Sequence, residues 1–345
     1  MNYRRLGKTG FSVSEVSLGT WQVGGKWGSG FDDAHAERIL GKAIDSGINF
    51  IDTADVYEDG RSEAAVGRVV KSRSEEVYVA TKCGRKISPH TSEGYTPERL
   101  REFVEDSLRN TGLERLDLIQ LHCPPTEVYY RPEIFEMFDR LRDEGKIRNL
   151  GVSVEKVEEG LKAIEYSNVT TVQIIFNLLR RRPADLFFER AVARDVGVIV
   201  RVPLASGLLS GKFTRNTTFE EGDHRNFNRD GSAFDVGETF AGLDFEAGLD
   251  IVEEIKKNLK DSEQGLAETF SAGGASGSAP TLAQYAIRWI LGHIQVSTVI
   301  PGASSLEQLE SNLAATEIPA LSRETEARLR RLYDEKVKPL VHHRW

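Results

Sequence analysis

Four residues spread over seventy positions carry side chains that together could move a proton: Asp52, Tyr57, Lys82 and His122. A phenol whose ordinary pKa is near 10 does not readily exchange a proton at neutrality. An ammonium beside it stabilises the phenolate and lowers that pKa. Lys82 would supply the ammonium, Asp52 would hold it in place and charged, and His122 could orient a substrate oxygen. A phenol tuned in this way is a general acid for a carbonyl that is gaining a hydride. Each residue also has a simpler reading on its own: a strand-end Asp as a cap or turn former, a Lys reaching to water, a His satisfied within the structure. Position joins them. Asp52 and, five residues on, Tyr57 close one short apolar run, Lys82 ends the following run and His122 the one after that.

These runs belong to a repeating pattern. Strand-like stretches occur at Glu15 to Thr20, Asn49 to Ala54, Val77 to Lys82, Leu116 to His122, Ile147 to Val154, Thr170 to Asn177, Gly197 to Pro203 and Val296 to Gly302. Helical patterns lie between them, the first from Asp33 to Ser46, and one opens at Thr96 before Pro97, where proline sits at the first helical position without losing a needed donor. Alternating β and α units call for a parallel sheet. Eight of them, apolar on consecutive positions as strands buried on both faces must be, predict a closed (β/α)8 barrel, in the α/β class. The alternative, an open doubly wound sheet, lacks its glycine fingerprint, since the first turn reads LGTWQVGGKWG. A hairpin is expected around Gly7 and Gly10. The stretch from Leu204 to about Phe245 is too long for an ordinary connector and reads as functional or disordered, and Ser271 to Ala279 has the composition of a linker. Helices from Leu306 and from Arg323 to Lys336 precede a tail over about 337–345. The expectation is one domain over residues 1–345, with long loops at the face where barrel strands end and where sites of such barrels sit.

Composition narrows the partners. Lys plus Arg number 45 and Asp plus Glu 53, a net charge of −8, which does not suit a protein that holds a polyanion by phosphate neutralisation. Nucleic acid is therefore not expected. Cys83 and Cys123 are the two cysteines, so no disulfide framework is implied, which suits a reducing compartment. The opening residues lack a signal-peptide stretch and no apolar run reaches about 18 residues, so a soluble cytoplasmic protein with no membrane partner is expected. No paired His or His-x-His cluster sits at a strand end, so no metal is expected.

With these features in place, the sequence resembles the aldo-keto reductase superfamily over nearly its whole length. The resemblance is carried by LGTW at Leu18 to Trp21, FIDTADVYEDGRSE at Phe50 to Glu63, ATK at Ala80 to Lys82, LIQLH at Leu118 to His122, GVS at Gly151 to Ser153, PLASGLLSGK at Pro203 to Lys212 and VIPGASSLEQLESNL at Val299 to Leu313. It implies the barrel, NADPH-dependent reduction of a small aldehyde or ketone, and a catalytic tetrad of Asp52, Tyr57, Lys82 and His122 with Tyr57 as proton donor. It implies that Ser153 and Gln173 hold the nicotinamide carboxamide and that Gly19, Thr20 and Trp21, with Asp52, line the entrance. Pro203, Leu204, Ser206, Gly207, Leu209, Gly211 and Lys212 fall on the pyrophosphate-holding segment, and Arg225 is placed to clamp from the loop that follows. Gly302, Ser304, Gln308 and Asn312 fall at the adenosine end, where a helix N-terminus favours an anion; Ser305 and Gln308 equally read as a capping box.

The chain also departs from that pattern. Arg201 stands where many relatives stack an aromatic ring on the nicotinamide, either replacing that ring or pairing with a loop carboxylate, and Val154 stands where asparagine is frequent. Trp21, Trp27, Cys123 to Pro125 and the tail near Trp345 are expected to wall the substrate pocket. Ser304, Ser305 and Gln308 are neutral where relatives meet the 2′-phosphate with arginine. A charge-assisted hydrogen bond contributes about 1.5 to 3 kcal/mol against roughly 0.5 to 1.5 for a neutral one. NADPH is thus expected to be preferred only modestly, with NADH also accepted. A monomer or small homo-oligomer is expected. The rival readings are a cofactor-binding interaction module of the same fold, a Schiff-base lyase using Lys82, and a metal-dependent hydrolase.

Overall fold

A computed structural model describes residues 1–25, 30–262 and 280–345. Trp27 and the linker-like stretch from Ser271 to Ala279 lie outside the described residues.

Two short antiparallel strands open the chain, β1 (Tyr3–Arg5) and β2 (Ser12–Ser14). Eight parallel strands follow: β3 (Leu18–Gly19), β4 (Phe50–Asp52), β5 (Tyr78–Cys83), β6 (Leu116–His122), β7 (Ile147–Ser153), β8 (Val169–Ile175), β9 (Gly197–Arg201) and β10 (Val296–Val299). They pair in chain order, and the circle is completed by parallel bridges from Val16 to Val299 and from Gly19 to Gly302. Ser17 N donates to Val299 O at 2.8 Å and Gly19 N to Pro301 O at 3.1 Å. The (β/α)8 barrel expected from eight apolar runs is the architecture observed.

Between the strands run α1 (Asp33–Asp45), α2 (Arg61–Lys71), α3 (Pro97–Thr111), α4 (Pro132–Asp143), α5 (Val157–Ala163) and α6 (Phe187–Ala193). In α3 the Thr96 hydroxyl accepts from Arg99 N, Pro97 occupies the first turn and Gly112 ends the helix with φ 61°. Its buried residues Leu100, Val104, Ser107 and Thr111 recur at helical spacing and form the stripe that faces the barrel. After β9 the chain forms the long loop, which contains α7 (His224–Phe227), and then α8 (Phe245–Ser262). α9 (Leu282–Leu291) leads into β10, followed by α10 (Leu306–Ala314), α11 (Arg323–Leu332) and α12 (Lys338–Val341). None of the described helices is long and apolar enough to cross a membrane.

The hairpin plugs one end of the barrel. Leu6, Phe11 and Val13 form a buried cluster with Phe50, Tyr78, Ala80, Leu118, Ile199 and Ile300. Gly7 follows Leu6 with φ +50°, and a Cβ there would lie 2.2 Å from Gly197 N and 2.7 Å from Asp195 O, so the turn approaches the barrel more closely than any other residue allows. Farther along the interior the side chains become polar. Register sets Lys82 beside Gln120, His122 beside Ser153, and Ser153 beside Gln173. The strand-end residues singled out by sequence therefore face one another around one rim.

Candidate active site

Lys82 is 1% exposed, and all three of its ammonium donors are used. Nζ donates to Asp52 Oδ1 at 2.5 Å, to Thr53 O at 2.8 Å and to Tyr57 Oη at 3.1 Å. The second Asp52 oxygen accepts from Gln120 Nε2 at 2.9 Å and from Gln173 Nε2 at 2.8 Å. Asp52 closes β4, and the tight turn beginning at Tyr57, with Glu58 and Asp59 at φ 49° and 51°, brings the phenol back over it. Burial works against the Lys82 charge, but Asp52 and Tyr57 together hold its pKa above the usual lysine value, so it remains an ammonium.

Tyr57 corrects one expectation. Burial pushes the phenol's pKa up, and Asp52 adds to that; Lys82 pulls it down without prevailing. Tyr57 thus stays protonated at neutrality. Because its oxygen accepts from Lys82, its own O–H is left to donate. His122 lies edge-on to the Tyr57 ring, with centroids 6.1 Å apart. Burial, and then Arg85 and Lys82, hold its pKa well below the usual value, so the imidazole is neutral.

Tyr57 and His122 open on a cavity of about 1100 Å³ that extends from the barrel mouth to the start of α10. Gly19, Thr20, Trp21, Asp52 and Gln173 line its deep end. Arg201, Pro203, Leu204, Ser206 and Gly207 line the middle, with Gly211, Lys212 and, from the loop, Arg225. Gly302, Ser304, Gln308 and Asn312 line the far end. Ser153 and Leu209 lie behind this wall: both are buried, and Ser153 Oγ accepts from the Cys123 thiol at 3.5 Å. The cavity wall does not include Cys123 to Pro125, nor Trp345, whose ring instead packs 4.0 Å from the Arg180 guanidinium. Trp21 does wall the cavity, stacked on Tyr57 at 6.0 Å with 14° between the planes.

The loop from Leu204 folds back against the barrel. His224, Phe234 and Trp21 cluster over the cavity, and Phe213 and Phe219, on its wall, pack together with Phe240 and Phe245 behind them. Arg225 Nε donates to Asp223 Oδ1 at 2.9 Å. At α10 the capping box is half formed: Ser305 Oγ accepts from Gln308 N at 3.2 Å, while Gln308 Oε1 accepts from Ser304 N at 2.8 Å, one residue upstream of the cap. Asn312 Nδ2 donates to Gly302 O at 3.2 Å.

Arg201 takes the ion-pair reading. Its Nη1 lies 3.1 Å from Glu238 Oε1, and Nη2 donates to Val154 O at 3.2 Å and reaches Glu155 Oε2 and Cys123 Sγ at 3.4 Å. Cys123, Glu155 and Glu238 offer ligand-type atoms within 4.8 Å of one another. The guanidinium contacts all three and supplies the cation of that cluster. Burial and then Glu238 push the Glu155 carboxyl up to about 8. Burial also opposes ionisation of Glu238, but Arg201 and Arg85 outweigh it and keep that carboxylate ionised.

Some wall residues had not been singled out from the sequence. Arg85 stands three positions after Lys82, a spacing that could have signalled it. Lys256, on α8, donates from Nζ to Gly211 O at 3.0 Å, and Glu238 comes from the long loop. Both reach the cavity from segments whose path no local pattern fixes.

A dinucleotide fits these features. The cavity exceeds the roughly 300–1,000 Å³ of ordinary ligand sites. A Cβ on Gly207 would lie 3.0 Å from the Phe213 ring and 3.6 Å from an Arg225 nitrogen, so its absence keeps the backbone open to a ligand. Lys212, Arg225 and Lys256 bring cations to the same middle section.

Comparison with known proteins agrees. The glycerol dehydrogenase AKR11B4 from Gluconobacter oxydans shares the fold with a TM-score of 0.74 at 29% identity, over 97% of this chain and 96% of that one. The NADH-specific methylglyoxal reductase of Escherichia coli is 29% identical over 331 residues, 91% of this chain and 93% of the relative. A putative voltage-gated potassium channel subunit beta of Schizosaccharomyces pombe is 32% identical over 333 residues, 91% of this chain and 88% of the relative. The pattern of the Aldo/keto reductase family matches residues 15–334. With a match of that extent, a shared barrel and oxidoreductase relatives, the chain belongs to the aldo/keto reductase family.

Proposed function

We propose that the protein reduces aldehyde or ketone carbonyls to alcohols, with NADPH preferred modestly and NADH also accepted, and with Tyr57 as the proton donor. The observation that carries this reading is the Lys82 ammonium, bonded at once to Asp52 and Tyr57, beneath a phenol that opens on the cavity. When bound, the nucleotide supplies the hydride that the carbonyl carbon receives. Gln173, which lines the cavity, presents its amide oxygen for the carboxamide, while Ser153 supports that wall from behind. Backbone at Pro203 to Gly211, with Lys212 and Arg225, would hold the pyrophosphate, and Gly302, Ser304, Gln308 and Asn312 the adenosine end. Tyr57 Oη donates its proton to the substrate oxygen. The phenolate so formed would be buried, and Lys82 is the group that makes it tolerable. Neutral His122 orients the same oxygen, and Trp21 shields the reaction from water.

The second reading, a cofactor-binding module with little turnover, is favoured by the likeness to a putative channel subunit. Oxidation of NADPH or NADH against a panel of aldehydes and ketones separates the two. Tyr57→Phe should leave nucleotide affinity in place and lower carbonyl reduction by about 10²-fold or more; retained turnover would assign the proton to another group. Titration of both nucleotides should show a modest preference for NADPH. A preference beyond about 10³-fold, roughly 4 kcal/mol, would mean that Lys212, Lys256 or another cation holds the 2′-phosphate. We place the protein in the cytoplasm as a monomer or small homo-oligomer.

A further inference from the structure

The deep end of the cavity carries a cation that proton transfer does not use. Arg85 follows Lys82 by three residues, and Gly84 between them has φ +101°, with a would-be Cβ 2.7 Å from the Tyr95 ring. That turn needs glycine, and it returns Arg85 to the barrel mouth. Arg85 lines the cavity with Trp21, Tyr57, His122 and Phe234, and its guanidinium lies 5.5 Å from the Phe234 ring centre. Arg85 and His122 line the same cavity, and after burial the Arg85 charge helps to hold the His122 pKa down.

Two carboxylates, Glu155 and Glu238, serve both Arg85 and Arg201, and they serve them unequally. Arg201 is held by contacts of 3.1 to 3.4 Å through both terminal nitrogens. Arg85 Nη1 is 3.7 Å from Glu155 and 3.7 Å from Glu238, within reach of charge but beyond hydrogen-bond length. Arg85 thus lines the cavity with neither carboxylate at hydrogen-bond distance, which leaves its fork hydrogen-bonding capacity to spare.

We propose that Arg85 is a specificity-determining residue that binds a carboxylate on the substrate, making oxo acids, aldehydes or ketones that carry a carboxylate, the preferred substrate class. The planar fork pairs with a carboxylate through two parallel hydrogen bonds. Trp21 and Phe234 flank the intervening carbon skeleton, and the carbonyl end reaches Tyr57 and His122. This proposal rests on the carbonyl-reduction reading, and the experiment separates the two.

The measurement is kcat/KM for 4-formylbenzoate and for its methyl ester, and for 4-oxobutanoate and its methyl ester, with wild type, Arg85→Gln and Arg85→Lys. Wild type should favour each acid over its ester by about tenfold or more, chiefly through KM. Arg85→Gln should bring the ratio to about one, and Arg85→Lys should retain part of it. A wild-type preference for the esters, or an acid-to-ester ratio untouched by Arg85→Gln, overturns the proposal while leaving carbonyl reduction standing. If none of the four compounds is reduced, carbonyl reduction is what fails. Calorimetry with benzoate and methyl benzoate then tests Arg85 directly: benzoate should bind wild type and lose about tenfold or more in Arg85→Gln, and equal affinities in the two proteins overturn the proposal.

Discussion

Lys82 shows what a buried cation needs. It stays charged because Asp52 and a backbone carbonyl satisfy two of its donors, leaving the third for Tyr57. Three residues beyond Asp52 the opposite case occurs. Asp55 is 1% exposed, and no side chain among the described residues donates a hydrogen bond to its carboxylate, the Val56 N–H giving it only weak support. Burial, and then the neighbouring Glu63, push its pKa from 3.8 up to about 7. A carboxyl whose folded pKa is raised binds its proton more tightly when folded, so its contribution to stability is full below about pH 4 and is lost as pH rises through 7. At about 1.4 kcal/mol per unit, that loss is up to roughly 4 kcal/mol. Asp55→Asn should flatten the fall in stability between pH 4 and 7, as read by urea unfolding across that range; an unchanged slope would place the titration elsewhere. Asp52, Tyr57, Lys82 and His122 were legible because each closes or follows an apolar run. An Arg201 pair with a loop carboxylate was one of two readings of that position, but its partners were not legible, because Glu155 and Glu238 reach it from separate loops; the burial that raises the Tyr57 pKa is likewise a property of the folded surroundings, which the sequence of a turn does not contain.

Among the elements, the loop from 204 to 245 shows what length alone leaves open. Its polar, glycine-rich composition marks it as a loop, but its order comes from a few long-range ties. Ser206 Oγ donates to Glu238 O, Arg201 holds the Glu238 carboxylate, and Arg180 lies 3.7 Å from Asp235. Glu238→Ala removes the ion pair and leaves the Arg201 charge buried with less compensation. Release of nucleotide, followed by stopped-flow fluorescence, should then quicken by about tenfold, the effect of roughly 1.4 kcal/mol. An unchanged release rate would show that the loop is held by its phenylalanines instead. The helix expected over Arg323 to Lys336 is helical throughout, but its geometry changes within that span. α11 ends at Leu332 and the chain widens into a π turn over Tyr333–Val337. Tyr333 Oη there accepts from Arg181 N at 3.4 Å and pairs with His342 Nδ1 at 2.7 Å. Helical periodicity carries no record of such distant partners.

For the whole molecule, the count of eight apolar runs was enough to specify a closed barrel, whereas the bonds that close it were not legible. The first strand, read as six residues, pairs over two, and the circle is finished by isolated bridges and backbone hydrogen bonds. Closure also depends on the plug at the other end. Gly7→Ala would drive a methyl group into the backbone of Asp195 to Gly197, which cannot yield as a side chain can. The expected cost is about 2 kcal/mol or more, seen as a drop in melting temperature; an unshifted melt would mean that the hairpin relaxes away from the barrel at little cost. With Leu6, Phe11 and Val13 seated in that end, the barrel is a cup rather than a tube. Whatever reaches Tyr57 must come and go over a single rim, and His224 and Phe234 of the long loop stand on it. Reactant and product thus share one doorway, and the same loop stands beside it for both.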